Sequence, residues 1–189
     1  MHKLSVIVAS VREGRAGELI AQWFMTRAKE HGKFDVQLVD LKEVNLPLLS
    51  EPNHPRLRKY QQETSKAWSA IVGGSDAFVF VTPEYNYTLP PALVNALDHL
   101  YHEWSYKACA FVSYGGVSGG TRAVQTAKLM VTGFKMMPMV EAVNIPFYTQ
   151  LMDAGVFRSN ETHDKAVPVM LDELLRWTDA LKVLRASSA

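Results

Sequence analysis

Short apolar runs alternate along this chain with longer stretches of helical spacing. Runs rich in β-branched and aromatic residues fall at Lys3–Ala9, Phe34–Asp40, Ala77–Thr82, Ala108–Tyr114 and Met139–Ile145, and each predicts a strand. Between the first two, Leu19, Ile20, Trp23 and Phe24 recur at helical intervals and Gly32 closes the helix. Arg56 to about Val72 predicts a second helix, stopped by Gly73-Gly74. Pro90 or Pro91 opens a third through Leu93, Leu97 and Leu100, since proline suits the first helical turn. Thr121 to Thr132 predicts a fourth, and Val167, Met170, Leu171, Leu174, Leu181 and Leu184 form the apolar stripe of a fifth.

The first, third and fourth strands are nearly continuous apolar runs, as expected when helices cover both faces of a parallel sheet. Five βα units predict a three-layer α/β fold, doubly wound, with strand order 2-1-3-4-5 and ligands bound beyond the carboxyl ends of the strands. At 189 residues and about 150 per domain, a single domain over residues 1–189 is expected. Two connections exceed simple turns, Leu41 to Pro55 and Pro146 to Glu161, and either could carry function. Ser187-Ser188-Ala189 reads as a frayed tail.

Composition narrows the function. A formal charge of +1 lacks the basic excess of a nucleic-acid binder. No apolar run approaches the roughly 18 residues of a membrane span, and the amino terminus lacks the pattern of a signal peptide. The lone Cys109 rules out an internal disulfide and any multi-cysteine metal site. A cytoplasmic, soluble protein is expected.

The candidate chemistry lies in three turns that follow strands. Ser10-Val11-Arg12-Glu13-Gly14-Arg15-Ala16-Gly17 joins the first strand to a helix, so free backbone N–H groups, a hydroxyl and two guanidiniums can form an anion cage. It lacks the Gly-Lys-Ser/Thr of a Walker A loop and the Gly-x-Gly-x-x-Gly of a dinucleotide fold, so a monophosphate suits it best. The second turn, Thr82 to Pro91, is bounded by prolines and could flank a planar heterocycle with Tyr85 and main-chain amides. The third has four glycines among residues 115–120, which lets backbone approach a ligand closely.

These residues carry a resemblance. Ser10-x-Arg12 with Gly14-Arg15-x-Gly17, Pro83-Glu84-Tyr85-Asn86 with Pro90-x-x-Leu93-x-Asn95-Ala96-Leu97-Asp98, and Gly115-Gly116-x-Ser118-Gly119-Gly120 together resemble the NADPH-dependent FMN reductase family over roughly residues 3 to 145. The resemblance implies a flavodoxin-like fold and an NAD(P)H-dependent flavoprotein oxidoreductase. Hydride would pass from NADPH or NADH to bound FMN, then to a flavin, quinone, azo compound or metal ion, with ping-pong kinetics. It implies that Ser10, Arg12, Arg15, Ala16 and Gly17, with the amides of Glu18 and Leu19, hold the FMN phosphate. Pro83, Glu84, Tyr85 and Asn86 would border the ring, and Gly115, Gly116, Ser118 and Gly119 would meet its polar edge. It also implies a homodimer, often a tetramer, in which the partner chain helps wall the pocket. No side chain is expected to act as a catalytic acid or base, because the flavin carries the chemistry.

An FMN-binding electron carrier and a redox-sensing regulatory protein are the alternative readings. His99, His102 and Glu103 are spaced as a conceivable metal pair, but without further ligands no metal is expected. Cys109 and the Tyr101, Trp104 and Tyr106 cluster are expected to pack as core or, for the aromatics, at a contact.

Overall fold

The computed structural model describes residues 1–186, so the frayed tail expected at 187–189 lies outside the described residues. Five parallel strands run in the order β2-β1-β3-β4-β5: β1 (His2–Val8), β2 (Phe34–Asp40), β3 (Ala77–Pro83), β4 (Ala108–Tyr114) and β5 (Met137–Ile145). Registers such as Val6 beside both Leu38 and Val79 place the carboxyl ends along one rim.

Side chains alternate across the pleat and feed two cores. Val6, Val8, Val79, Val81, Ala110 and Val112 pack against helix α1 (Gly17–His31) and the long α6 (Glu161–Ala186). Their neighbours Ile7, Phe78, Phe80, Cys109 and Phe111 face α3 (Glu63–Gly73), α4 (Pro91–Asp98) and α5 (Thr121–Gly133). This double coverage explains why β3 and β4 are buried at every position, whereas the edge strands β2 and β5 are only partly buried. The chain leaves β1 for one face and β3 for the other. A crevice therefore opens between their carboxyl ends.

One expectation needs correction, and the two long connections prove to be ordered by local structure. The second helix begins at Glu63 rather than Arg56, because Pro55–Leu57 forms a single 3-10 turn that ends on Arg58 in the left-handed region (φ 52°). A short helix, α2 (Leu41–Val44), capped by the Asp40 carboxylate on the Lys42 N–H, interrupts the first long connection. The remainder of that connection is tied to α4: Asn95 donates to the Pro47 carbonyl and accepts from the Leu49 N–H, and a His99 ring nitrogen also meets the Pro47 carbonyl. Residues 146–161 hold a 3-10 turn (Tyr148–Leu151) and a two-stranded hairpin, β6 (Met152–Asp153) with β7 (Val156–Phe157).

Candidate functional site

All three strand-following turns meet at the crevice. They enclose a cleft of about 210 Å³ lined by Ser10, Arg12 and Gly14 from the first, Glu84 and Tyr85 from the second, and Gly116 from the third. Arg15, Ala16, Pro83 and Gly115 also reach it. Gly17, Glu18, Leu19, Asn86, Ser118 and Gly119 stand behind or beside the lining.

The first turn ends where α1 begins, so the leading N–H groups of that helix, at Gly17, Glu18 and Leu19, have no intrahelical acceptor. Their partial positive charge lies at the end of α1 whose N-cap, Ala16, lines the cleft. Gly17 packs so tightly that a Cβ there would lie 2.7 Å from the Tyr114 hydroxyl. Ser10 is buried, and its hydroxyl bonds that of Tyr85 at 2.6 Å; burial raises the Tyr114 pKa. The two arginines part ways. Arg15, its side chain only 7% exposed, pairs with Asp40 at the end of β2. Arg12 is exposed, lies over the Tyr85 ring at 5.6 Å, and has no carboxylate partner among the described residues. Arg12 thus offers its whole guanidinium to an anion, while Arg15, also in the cleft lining, keeps a buried Nε without a hydrogen-bond partner among the described residues.

The second turn is a tight reversal. Tyr85 and Thr88 exchange both backbone hydrogen bonds at 3.0 Å, with Asn86 and Tyr87 in the left-handed region (φ 48° and 72°). Glu84 serves as its brace. The carboxylate accepts from the Ser118 hydroxyl at 2.8 Å, the Arg122 N–H at 3.2 Å and the Arg122 guanidinium. Burial alone would push the Glu84 carboxyl up, but those bonds outweigh it and hold it below its ordinary value. A carboxylate so occupied joins the second and third turns and is no general base. Arg122 in turn stacks on the Tyr87 ring at 3.8 Å.

Glycines in the third turn have distinct jobs. Gly120 has φ 85°, and a Cβ there would meet the Ser113 Cβ at 2.8 Å and the Tyr114 nitrogen at 2.9 Å. Gly116 is exposed, with nothing within 4 Å of where a Cβ would stand. That open space belongs to the cleft. Tyr148 was not foreseen. The 3-10 turn after β5 brings it to the cleft wall, edge-on to Tyr114 with ring centroids 5.1 Å apart; an aromatic pair directly after Pro146 at a strand's carboxyl end was the available signal.

The other candidates have structural partners. His99 is fully buried between Ser65 and the loop carbonyl of Pro47, His102 meets the Arg56 carbonyl, and Glu103 accepts from Tyr60 and Ser69. Cys109 lies in the core, where burial pushes its thiol pKa up.

The family model described as NADPH-dependent FMN reductase matches residues 2–150 of this chain. The chain belongs to that family. An NAD(P)H-dependent FMN reductase of Schizosaccharomyces pombe is 44% identical over 149 residues, covering 76% of this chain and 74% of the relative. A second from Saccharomyces cerevisiae is 32% identical over 189 residues, covering 93% and 98%. Among solved structures, the flavoenzyme NAD(P)H:(acceptor) oxidoreductase FerB from Paracoccus denitrificans superposes with a TM-score of 0.75 at 21% identity over 95% of this chain and 98% of that one. This member of the family is accordingly an NAD(P)H-dependent flavoprotein oxidoreductase, with FMN as cofactor and NAD(P)H as co-substrate. Among its described residues no helix is long and apolar enough to cross a membrane.

Proposed function

We propose that FMN binds in the cleft between the three turns and that NAD(P)H and the electron acceptor use its open mouth in turn. One observation carries this reading: an unpaired arginine, a helix amino terminus and an open glycine edge share a single cleft at the switch point of the sheet. Each part suits one portion of a flavin mononucleotide. The phosphate would be held by the Ser10 hydroxyl, Arg12 and the amides of residues 15–19, where a helix end favours an anion. Arg15 assists indirectly, its guanidinium fixed by Asp40 so that the turn keeps its shape. Pro83, Glu84, Tyr85 and Asn86 would border the ring through the backbone of the braced reversal. Gly115 and Gly116 would admit the ring's polar edge, with Ser118 and Gly119 setting the turn's path.

When bound, FMN accepts a hydride from NAD(P)H and returns two electrons to an acceptor. The protein's share is binding, orientation and exclusion of water. Tyr85 and Tyr148 supply aromatic walls, and the Ser10–Tyr85 hydroxyl bond holds one of them in place. One mouth serving both substrates predicts ping-pong kinetics, with a flavin, quinone, azo compound or metal ion as the acceptor.

The oligomer proposed is a homodimer that can pair further into a tetramer. Val11, Tyr87, Val117 and Phe147, all on segments framing the cleft, are between 41% and 75% exposed. Apolar groups at such a rim favour cover by a second copy. A cytoplasmic, single-domain enzyme, supplied with NAD(P)H and keeping its one buried cysteine reduced, completes the proposal.

The test is direct. Purified protein should carry a yellow flavin spectrum or gain one on FMN titration. It should also oxidise NADPH with quinone when no separate reductase is present. A colourless protein that FMN does not titrate would end this reading, and a flavin that stays oxidised under NADPH would make the chain a carrier.

A further inference from the structure

At the opposite end of the sheet, where the strands begin, a second cavity of about 390 Å³ is walled by Arg56, Arg58, Arg185 and His102, with Tyr106 beside them. At about 30 Å³ per water, this is the space of about a dozen waters. It is larger than the cofactor cleft, and its lining holds no carboxylate. We propose that this cavity is a binding site for a small phosphate-bearing anion of the diphosphate class.

The guanidiniums keep donors to spare. Each carries five N–H groups in a planar fork suited to phosphate oxygens. Arg56 gives one to the Tyr101 hydroxyl at 2.8 Å while its plane lies over the Tyr101 ring at 4.4 Å, which fixes its orientation. Arg185 gives one to the Tyr106 carbonyl at 2.7 Å and one to Asp76 at 3.1 Å. The Arg58 side chain is exposed and has no hydrogen bond or ion pair among the described residues.

Charge around the cavity is unbalanced. Lys107, donating to the Val72 and Gly73 carbonyls, and Lys135, against the Tyr106 ring, add two more cations nearby. Against these cations stand two carboxylates outside the lining, Asp76 paired with Arg185 and Glu103 held by the hydroxyls of Tyr60 and Ser69. Burial lowers the Lys107 pKa to about 8, with Arg185 and Arg58 adding to the effect and Asp76 and Glu103 opposing it.

Arg58, which caps the 3-10 turn, and Tyr106 have left-handed backbones at φ 52° and 57°, which set the turns that present them to the cavity.

The test uses protein saturated with FMN, so that the proposed phosphate cradle of the cleft is occupied. Calorimetric titration with inorganic pyrophosphate should show one saturable site per chain whose affinity falls with added salt. Arg58→Glu should weaken it at least tenfold, and Arg56→Gln severalfold, with NADPH oxidation unchanged in both. ADP binding that Arg58→Glu weakens and that exceeds pyrophosphate binding would identify a nucleotide as the source of the diphosphate, and equal or weaker binding would identify the simple anion; both support the site, whereas ADP binding that the variant leaves intact belongs to the mouth of the cleft and counts against it. No saturable binding, or binding that both arginine variants leave intact, would overturn it.

Discussion

Arg12 and Arg15 stand three positions apart in one turn, yet the structure divides their work. Asp40 compensates the charge of Arg15, whereas Arg12 has no carboxylate partner among the described residues. Arg12→Ala should therefore weaken FMN binding about ten- to hundredfold, as expected for loss of a charge-assisted hydrogen bond. The rate of hydride transfer at saturating FMN should change little; fluorescence titration and single-turnover kinetics read the two effects separately. Gly17 offers a complementary check. A methyl there would displace the Tyr114 hydroxyl, which lies 2.7 Å from the Cβ position, and Tyr114 lines the cleft. Gly17→Ala should fold normally and lose FMN affinity, whereas unaltered affinity would detach Tyr114 from the cradle. The turn residues were readable as a group because of their place after strands. Which arginine would remain free was not, since Asp40 lies on a different strand. Tyr148 escaped notice for a related reason: its approach to Tyr114 depends on how residues 146–161 fold back.

At the scale of elements, the strands were legible from their runs because double coverage leaves little room for polar positions in β1, β3 and β4. The start of α3 was less so. Arg56 and Leu57 have good helical propensity, but the 3-10 turn closes on Arg58 and the chain then extends to Gln62. Gly120 tests the turn before α5. Gly120→Ala would force a side chain into φ 85° against backbone that cannot yield, costing about 1–3 kcal/mol in denaturant unfolding. Lys107 tests the far end of the sheet. Its folded pKa, about 8, lies below the ordinary 10.5, so the unfolded chain binds more protons between those values. Stability should rise as pH increases from about 8. Tyr60, Tyr114 and Cys109, all pushed up by burial, oppose this once their unfolded forms ionise. Thermal melts should show the rise at pH 8 to 9, and Lys107→Met should remove it.

For the molecule as a whole, the order 2-1-3-4-5 locates the cleft before any side chain is considered, because β1 and β3 send their connections to opposite faces. Fold and reaction class were both legible, the first in periodicity and the second in the motifs of the three turns. The expectation of a dimer came only from the family resemblance. The exposed apolar rim leads us to expect twice the chain's mass or a multiple of it in light scattering, and a strict monomer would remove the partner chain from the pocket wall. The central claim is that the turns jointly enclose FMN, and Gly116 tests it most directly, since a larger side chain there meets nothing in the protein and only fills the cleft. FMN should be titrated into Gly116→Val and the parent protein, each with a melting curve. The account predicts matching melts and a lost or severely weakened FMN complex in the variant; normal FMN occupancy in Gly116→Val would contradict it.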